Sequence, residues 1–276
     1  MPPPPDAGLL PARHALALGL LHGPTELLPV SSSGHTTLIP WLLGWPYPQL
    51  DPELRKAFEV ALHAGTAAAL MVALRDEVGE TARALDRRRV VLIAGSFLPP
   101  AILGKTFERA IEARLGGPGS IAAGLLAGSA ALVLADRGAE RAAASRTRES
   151  AGFGDALALG LGQACALMPG ASRNGMTLAA ARARGFTRTD ANVLSRHAAL
   201  PVIVGASVLK GARLAQRGLP PGYGAPLALG AGASFASTLL STRLIRQVER
   251  ERSLVPYAAY RSALAAVVLR RLAQRS

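Results

Sequence analysis

Two short polar stretches interrupt an otherwise apolar chain, and their residue types suit phosphoryl transfer. The first, GPTELLPVSSSGH at 23–35, supplies Glu26, three consecutive serines (Ser31, Ser32, Ser33) and His35. The second, MPGASRNGMT at 168–177, supplies Gly170, Ser172, Arg173, Asn174 and Thr177. Arg173 offers a rigid fork of donors matched to phosphate. The hydroxyls and the Asn174 amide add donors, and His35 can carry a proton near neutral pH. A nucleophile or positioned water, a proton carrier and a cation for developing charge are what a phosphoryl-transfer site needs. His22 stands four residues before Glu26, on the same face of a helix. Simpler readings stay open. A serine run after proline also makes a plain helix N-cap, and an arginine near a span end also snorkels.

These groups sit in apolar surroundings, where an ionisable side chain costs roughly 2.5–3.5 kcal/mol to insert. Half of the 276 residues are hydrophobic, 4% are aromatic, and the mean hydropathy is +0.26. Apolar runs recur at 57–74, 90–106, 120–135, 192–210, 224–241 and 255–269. Several approach the roughly 20 residues that cross a bilayer. Their richness in Ala, Gly and Ser suits close helix packing in lipid. An Ala-rich soluble bundle is the alternative, disfavoured by the number of such runs.

The net charge of +13 comes mainly from arginine. The arginines fall in the gaps between apolar runs: Arg83, Arg87, Arg88 and Arg89; Arg137, Arg141, Arg146 and Arg148; Arg182, Arg184 and Arg188; Arg243, Arg246, Arg250 and Arg252. This is the pattern of cytoplasmic loops. No aromatic residues interleave with them, so nucleic acid is not an expected partner. The single cysteine, Cys165, excludes an intrachain disulfide. The opening MPPPPDAGLL lacks the basic region of a signal peptide, so insertion is expected to rely on the later spans.

The string ALALGL occurs at 15–20 and again at 156–161, 141 residues later. At the same offset Ser31 meets Ser172, Gly34 meets Gly175 and Thr36 meets Thr177. Pro24, Pro29 and Pro169 break the opening segment of each copy. Interrupted segments at matching positions of two halves point to a site near the membrane midplane. The expectation is one polytopic domain over 1–276, all-α, with repeats of about 12–136 and 153–270. Each half is a re-entrant broken helical hairpin followed by about three transmembrane helices. With the basic gaps in the cytoplasm, the first hairpin dips in from outside and the second from inside, an inverted-topology pair. The C-terminal RRLAQRS then falls outside, against the charge rule. His63 and His197 read toward packing between helices, and Glu59 toward the interface. No HxxxH, CxxC or DxD spacing marks a dedicated metal site.

The paired motifs resemble the undecaprenyl-diphosphate phosphatase family, also called the bacitracin resistance family. AFEVALHAGT, ALPVIVGAS and LVPYAAYR extend the resemblance over nearly the whole chain. It implies a multi-pass enzyme of the bacterial inner membrane that hydrolyses undecaprenyl diphosphate, a polyprenyl lipid, to undecaprenyl phosphate and phosphate. That recycles the carrier for cell-wall synthesis, and bacitracin competes for the substrate. It also implies two re-entrant segments, a site opening to the periplasm, and a divalent cation such as Mg or Ca, with Glu26 as its ligand. On the family pattern Glu26 is the second acidic position, Ser32 a nucleophile or phosphate ligand, and His35 the family histidine. Ser172, Arg173 and Thr177 fall on the second motif. His22 stands where the family usually has Glu or Gln, and Asn174 where it has a last Ser, so a weaker cation site is expected. A lipid-phosphate transporter and a catalytically altered homologue remain the rival readings. A homodimer is an open expectation.

Overall fold

The computed structural model describes residues 10–83, 85–218, 222–250 and 253–275; the opening prolines and Arg252 lie outside them. Among the described residues the structure is helical, with only an isolated bridge between Arg146 and Phe186. The first hairpin is α1 (Ala12–Leu27) and α2 (Ser32–Leu43). At 16 and 12 residues these helices reach about 24 and 18 Å at 1.5 Å per residue. Neither crosses a hydrocarbon core of roughly 30 Å. The chain turns back instead: His14 at the start of α1 stacks on Trp45 beyond α2, with ring centroids 4.1 Å apart.

The next elements are α3 (Pro52–Ala73), α4 (Arg75–Arg83), α5 (Arg87–Leu115) and α6 (Pro118–Arg141). The second hairpin is α7 (Phe153–Cys165) and α8 (Arg173–Ala183), followed by α9 (Arg188–Arg217), α10 (Gly224–Leu240), α11 (Arg243–Arg250) and α12 (Val255–Ala273). Four segments are long and apolar enough to span a membrane: Pro52–Ala73, Arg87–Phe107, Pro118–Arg141 and Arg188–Leu209. The expected run 224–241 becomes a shorter apolar helix of 17 residues. The run 255–269 lies in α12, which also carries Arg261, Arg270 and Arg271. Leu98, Ile102, Leu134, Val208 and Leu240 stand more than half exposed on the outer surface. Such an apolar exterior is suited to lipid, and the chain is a membrane protein.

The two hairpins pack alike. Helix α1 lies along α10, and α7 lies along α5. Both contacts close over the glycine of ALALGL. A Cβ at Gly19 would sit 2.5 Å from the Gly230 carbonyl oxygen, and one at Gly160 would sit 2.7 Å from that of Gly95. The repeated string therefore has a packing reason.

Arginines from most loops gather at one end. Arg88 donates to the Ala151 carbonyl at 2.8 Å, Arg182 and Arg188 converge on buried Asp136, and Arg196 bridges Glu77 and Glu249. The C-terminal end of α12 lies at the opposite end, where Arg275 covers the Trp41 ring at 4.8 Å.

Candidate functional site

Both broken hairpins turn on a serine in a strained conformation. Ser31 has φ +79° and Ser172 has φ +70°, and these two and Ala143 are the non-glycine residues with positive φ among those described. Each serine is an N-cap: the Ser31 hydroxyl accepts from the Gly34 N–H at 3.3 Å, and the Ser172 hydroxyl from the Gly175 N–H at 3.1 Å. A positive φ at a non-glycine residue costs about 1–3 kcal/mol and marks places where the surroundings fix the backbone. Here it aims the first turns of α2 and α8 at one point. Helix starts leave N–H groups without intrahelical acceptors and favour anions.

The two loops are cross-tied by Arg261 of α12. Its side chain is fully buried and donates to the carbonyls of Gly170 at 3.0 Å, Ala171 at 2.8 Å and Pro29 at 3.4 Å. Asn174 adds a second tie, donating to the Leu27 carbonyl at 2.8 Å.

At the meeting point Glu26 accepts from both sides. Arg173 donates to one carboxylate oxygen and Ser32 to the other. His63 Nδ1 stands 3.9 Å from the oxygen that Ser32 contacts. The Glu26 side chain is only 6% exposed, so its charge needs these partners. Above the group opens a cavity of about 300 Å³. Its polar floor holds Glu26, Ser31, Ser32, Ser33, His63, Ser172, Arg173 and Asn174. Val60, Pro100, Leu167, Val202, Ile203 and Ala206 make apolar walls. Two wall groups, Gln163 Oε1 and Ser207 Oγ, are buried without a hydrogen-bond partner, which suits a polar guest. A smaller cavity of about 50 Å³ lies across the Glu26–Arg173 contact, lined by Leu27, Leu70 and Ile245 among others.

The structure thus brings together Glu26, Ser31, Ser32, Ser33, Ser172, Arg173 and Asn174. Four other expected residues do not line the cavity. His35 is fully buried behind the floor, with Nδ1 2.7 Å from the Ser31 carbonyl oxygen and Nε2 2.7 Å from the Tyr260 hydroxyl. Thr177 is buried in contact with Ser195 at 2.5 Å, and Gly170 presents its carbonyl to Arg261. His22 lies behind Glu26, with Nδ1 3.0 Å from the Thr66 hydroxyl. Sequence reasoning set His63 and Glu59 aside, yet both line the cavity. Their spacing, four apart on α3, put them on one face, but nothing in the pattern said which neighbour that face meets. His197, read in the same way, pairs with Glu77 at 2.9 Å near the basic end.

A divalent cation such as Mg or Ca takes oxygen ligands. Among the described residues, the potential metal-ligand atoms that stand within 4.8 Å of one another come from His22, Glu26 and His63. Two of these three donors are imidazole nitrogens, which suit such a hard ion poorly.

The family model described as bacitracin resistance protein BacA matches residues 15–267. A protein of Geobacter sulfurreducens named undecaprenyl-diphosphatase is 39% identical over 270 residues, covering 93% of this chain and 96% of that protein. One of the same name from Pelobacter propionicus is 38% identical over 262 residues, covering 90% and 92%. One from Sorangium cellulosum is 34% identical over 270 residues, covering 92% and 84%.

Proposed function

Because the chain belongs to the bacitracin resistance protein BacA family, we infer that it hydrolyses undecaprenyl diphosphate to undecaprenyl phosphate and inorganic phosphate. The observation that carries the chemistry is the convergence of Ser32 and Arg173, from different halves of the chain, on the single carboxylate of Glu26. The polar floor takes the diphosphate. The prenyl chain leaves between α5 and α9, past Pro100, Val202 and Ala206, toward the exposed apolar side chains of Ile102 and Val208.

In the resting site Arg173 neutralises Glu26. When the terminal phosphate enters, the guanidinium transfers its fork to the phosphate oxygens. Glu26 loses its cation and becomes a stronger base toward the Ser32 hydroxyl. The Ser32 oxygen bonds to the terminal phosphorus as the bridging P–O bond breaks. The serine proton passes through Glu26 to the leaving undecaprenyl phosphate. Water then attacks the phosphoserine, Glu26 takes its proton and returns one to Ser32, and phosphate leaves. Arg173 and the N–H groups opening α2 and α8 hold the developing charge throughout. His35 takes no part in these transfers. Bound to the Ser31 carbonyl and Tyr260, it steadies the turn that presents Ser32.

We place the chain in the bacterial inner membrane, with the arginine-rich end in the cytoplasm. The larger cavity is lined by Lys56 near the start of α3 and by Ala206 and Ser207 in the second half of α9, on the side away from the basic loops. It therefore faces the periplasm. The matching caps at Ser31 and Ser172 and the matching contacts of α1 and α7 support an inverted repeat. Bacitracin would compete by sequestering the substrate, and a homodimer is compatible with this arrangement.

The deciding experiment is phosphate release from undecaprenyl diphosphate by purified protein in detergent. Release by the parent protein and its loss in Arg173→Ala, with the variant still folded, is the expected result. Flux of a labelled lipid phosphate across vesicles without phosphate release would instead identify a transporter.

A further inference from the structure

We propose that His22, Glu26 and His63 form a binding site for a divalent transition ion of the zinc class. The inference concerns the cavity of the proposed hydrolysis, but it is tested by metal binding without substrate, so either reading can fail alone.

Hydroxyls crowd His22 Nδ1. Ser234 donates to the Leu62 carbonyl at 2.8 Å. Thr66 lies 2.8 Å from Ser234 and 3.1 Å from Thr238. Nδ1 of His22 is 3.0 Å from the Thr66 hydroxyl and 3.3 Å from that of Ser234. With Nδ1 protonated toward these oxygens, Nε2 of His22 keeps its lone pair. An imidazole whose other nitrogen donates to a fixed partner is the usual arrangement of a metal-binding histidine. His22 is 2% exposed and locked in this pose.

The other two donors meet it from the cavity side. The His22 and His63 rings stand edge to face with centroids 4.6 Å apart, and His63 Nδ1 is 3.9 Å from a Glu26 oxygen. One donor atom from each of the three residues lies within 4.8 Å of the other two. Two nitrogens and one oxygen suit zinc and its neighbours rather than magnesium or calcium. Three protein ligands beside a cavity leave a position open, as in catalytic rather than structural zinc sites. Arg173 on the far Glu26 oxygen opposes a second cation, so an anionic phosphate in the cavity should tighten binding.

The test uses tag-free, full-length protein in detergent, stripped with chelator and titrated with Zn²⁺ against a chromophoric competitor. Mg²⁺ is measured in parallel. The expected result is one Zn²⁺ per chain, preferred over Mg²⁺ by at least about 100-fold. His22→Gln and His63→Gln should each weaken binding by at least about 10-fold, with Thr66→Val giving a smaller loss. Cys165→Ser should leave Zn²⁺ binding unchanged. Co²⁺ loading of the unmutated protein gives a second reading through the absorption of a nitrogen-bound ion. Binding of Zn²⁺ no tighter than Mg²⁺, unaltered affinity in folded His22→Gln, or a Co²⁺ spectrum of an all-oxygen site would each overturn the proposal.

Discussion

Glu26 and Arg173 touch across 147 residues of sequence, each at the turn of its own broken hairpin. Neither charge is tolerable alone at that depth, and each hairpin supplies what the other lacks. Arg173→Ala should lower kcat/KM for undecaprenyl diphosphate by at least about 100-fold, the scale of losing one preorganised charge donor. It also strips the buried Glu26 of its guanidinium partner, a loss of up to about 3–5 kcal/mol, so thermal unfolding should be recorded beside activity. Arg173→Lys should restore stability more than rate, since a point charge cannot reproduce the fork.

Ser32 and His35 should behave differently, although both lie in one short motif. Ser32→Ala removes the attacking oxygen and should abolish phosphate release. Rapid quench of the parent protein with terminally labelled substrate should show label on Ser32. His35→Asn and Tyr260→Phe disturb only the support behind the turn. Each should lower the melting temperature, and Tyr260→Phe should leave the shape of the pH–rate profile unchanged. An ionisation missing from the His35→Asn profile but kept in that of Tyr260→Phe would make His35 a proton carrier after all.

Arg261 should act as a positioning residue. Arg261→Met leaves the carbonyls of Gly170 and Ala171 buried without their donor, at about 1–3 kcal/mol per orphaned group. Loss of the hairpin geometry should lower kcat more than it raises KM. Arg261→Lys should recover part of kcat, a pattern that general destabilisation would not give.

Acid should loosen the arginine-rich end first. Burial raises the Asp155 carboxyl, but hydrogen bonds from Arg146 and Arg184 and the Gly152 N–H outweigh it and hold the group at about 2. A carboxyl depressed in the folded state stabilises fully above its unfolded value near 4, and that contribution disappears as pH falls toward 2. Asp155→Asn should lower the melting temperature at pH 7 and have little effect near pH 2.

Much of this arrangement was legible in the residues themselves. Proline and glycine marked the two broken hairpins, and the cost of an ion in lipid singled out Glu26 and Arg173. What the pattern lacked was direction. His35 belongs to the right motif, but the positive φ at Ser31 places its ring behind the turn, toward a tyrosine 225 positions away. His63 looked like any polar residue on an apolar helix until α3 met the first hairpin. Arg261, near the end of the sequence, gave no local sign that its partners were backbone carbonyls at 29, 170 and 171. Such pairings arise from how helices dock, and no local periodicity encodes them.

The Arg261 tie also orders assembly in time. Both hairpins can enter the membrane as they emerge from the ribosome, yet the clamp that registers one against the other arrives only with the closing helix. Chains arrested before that point should hold every residue of the floor and still turn over nothing, and supplying α12 as a separate peptide should awaken them.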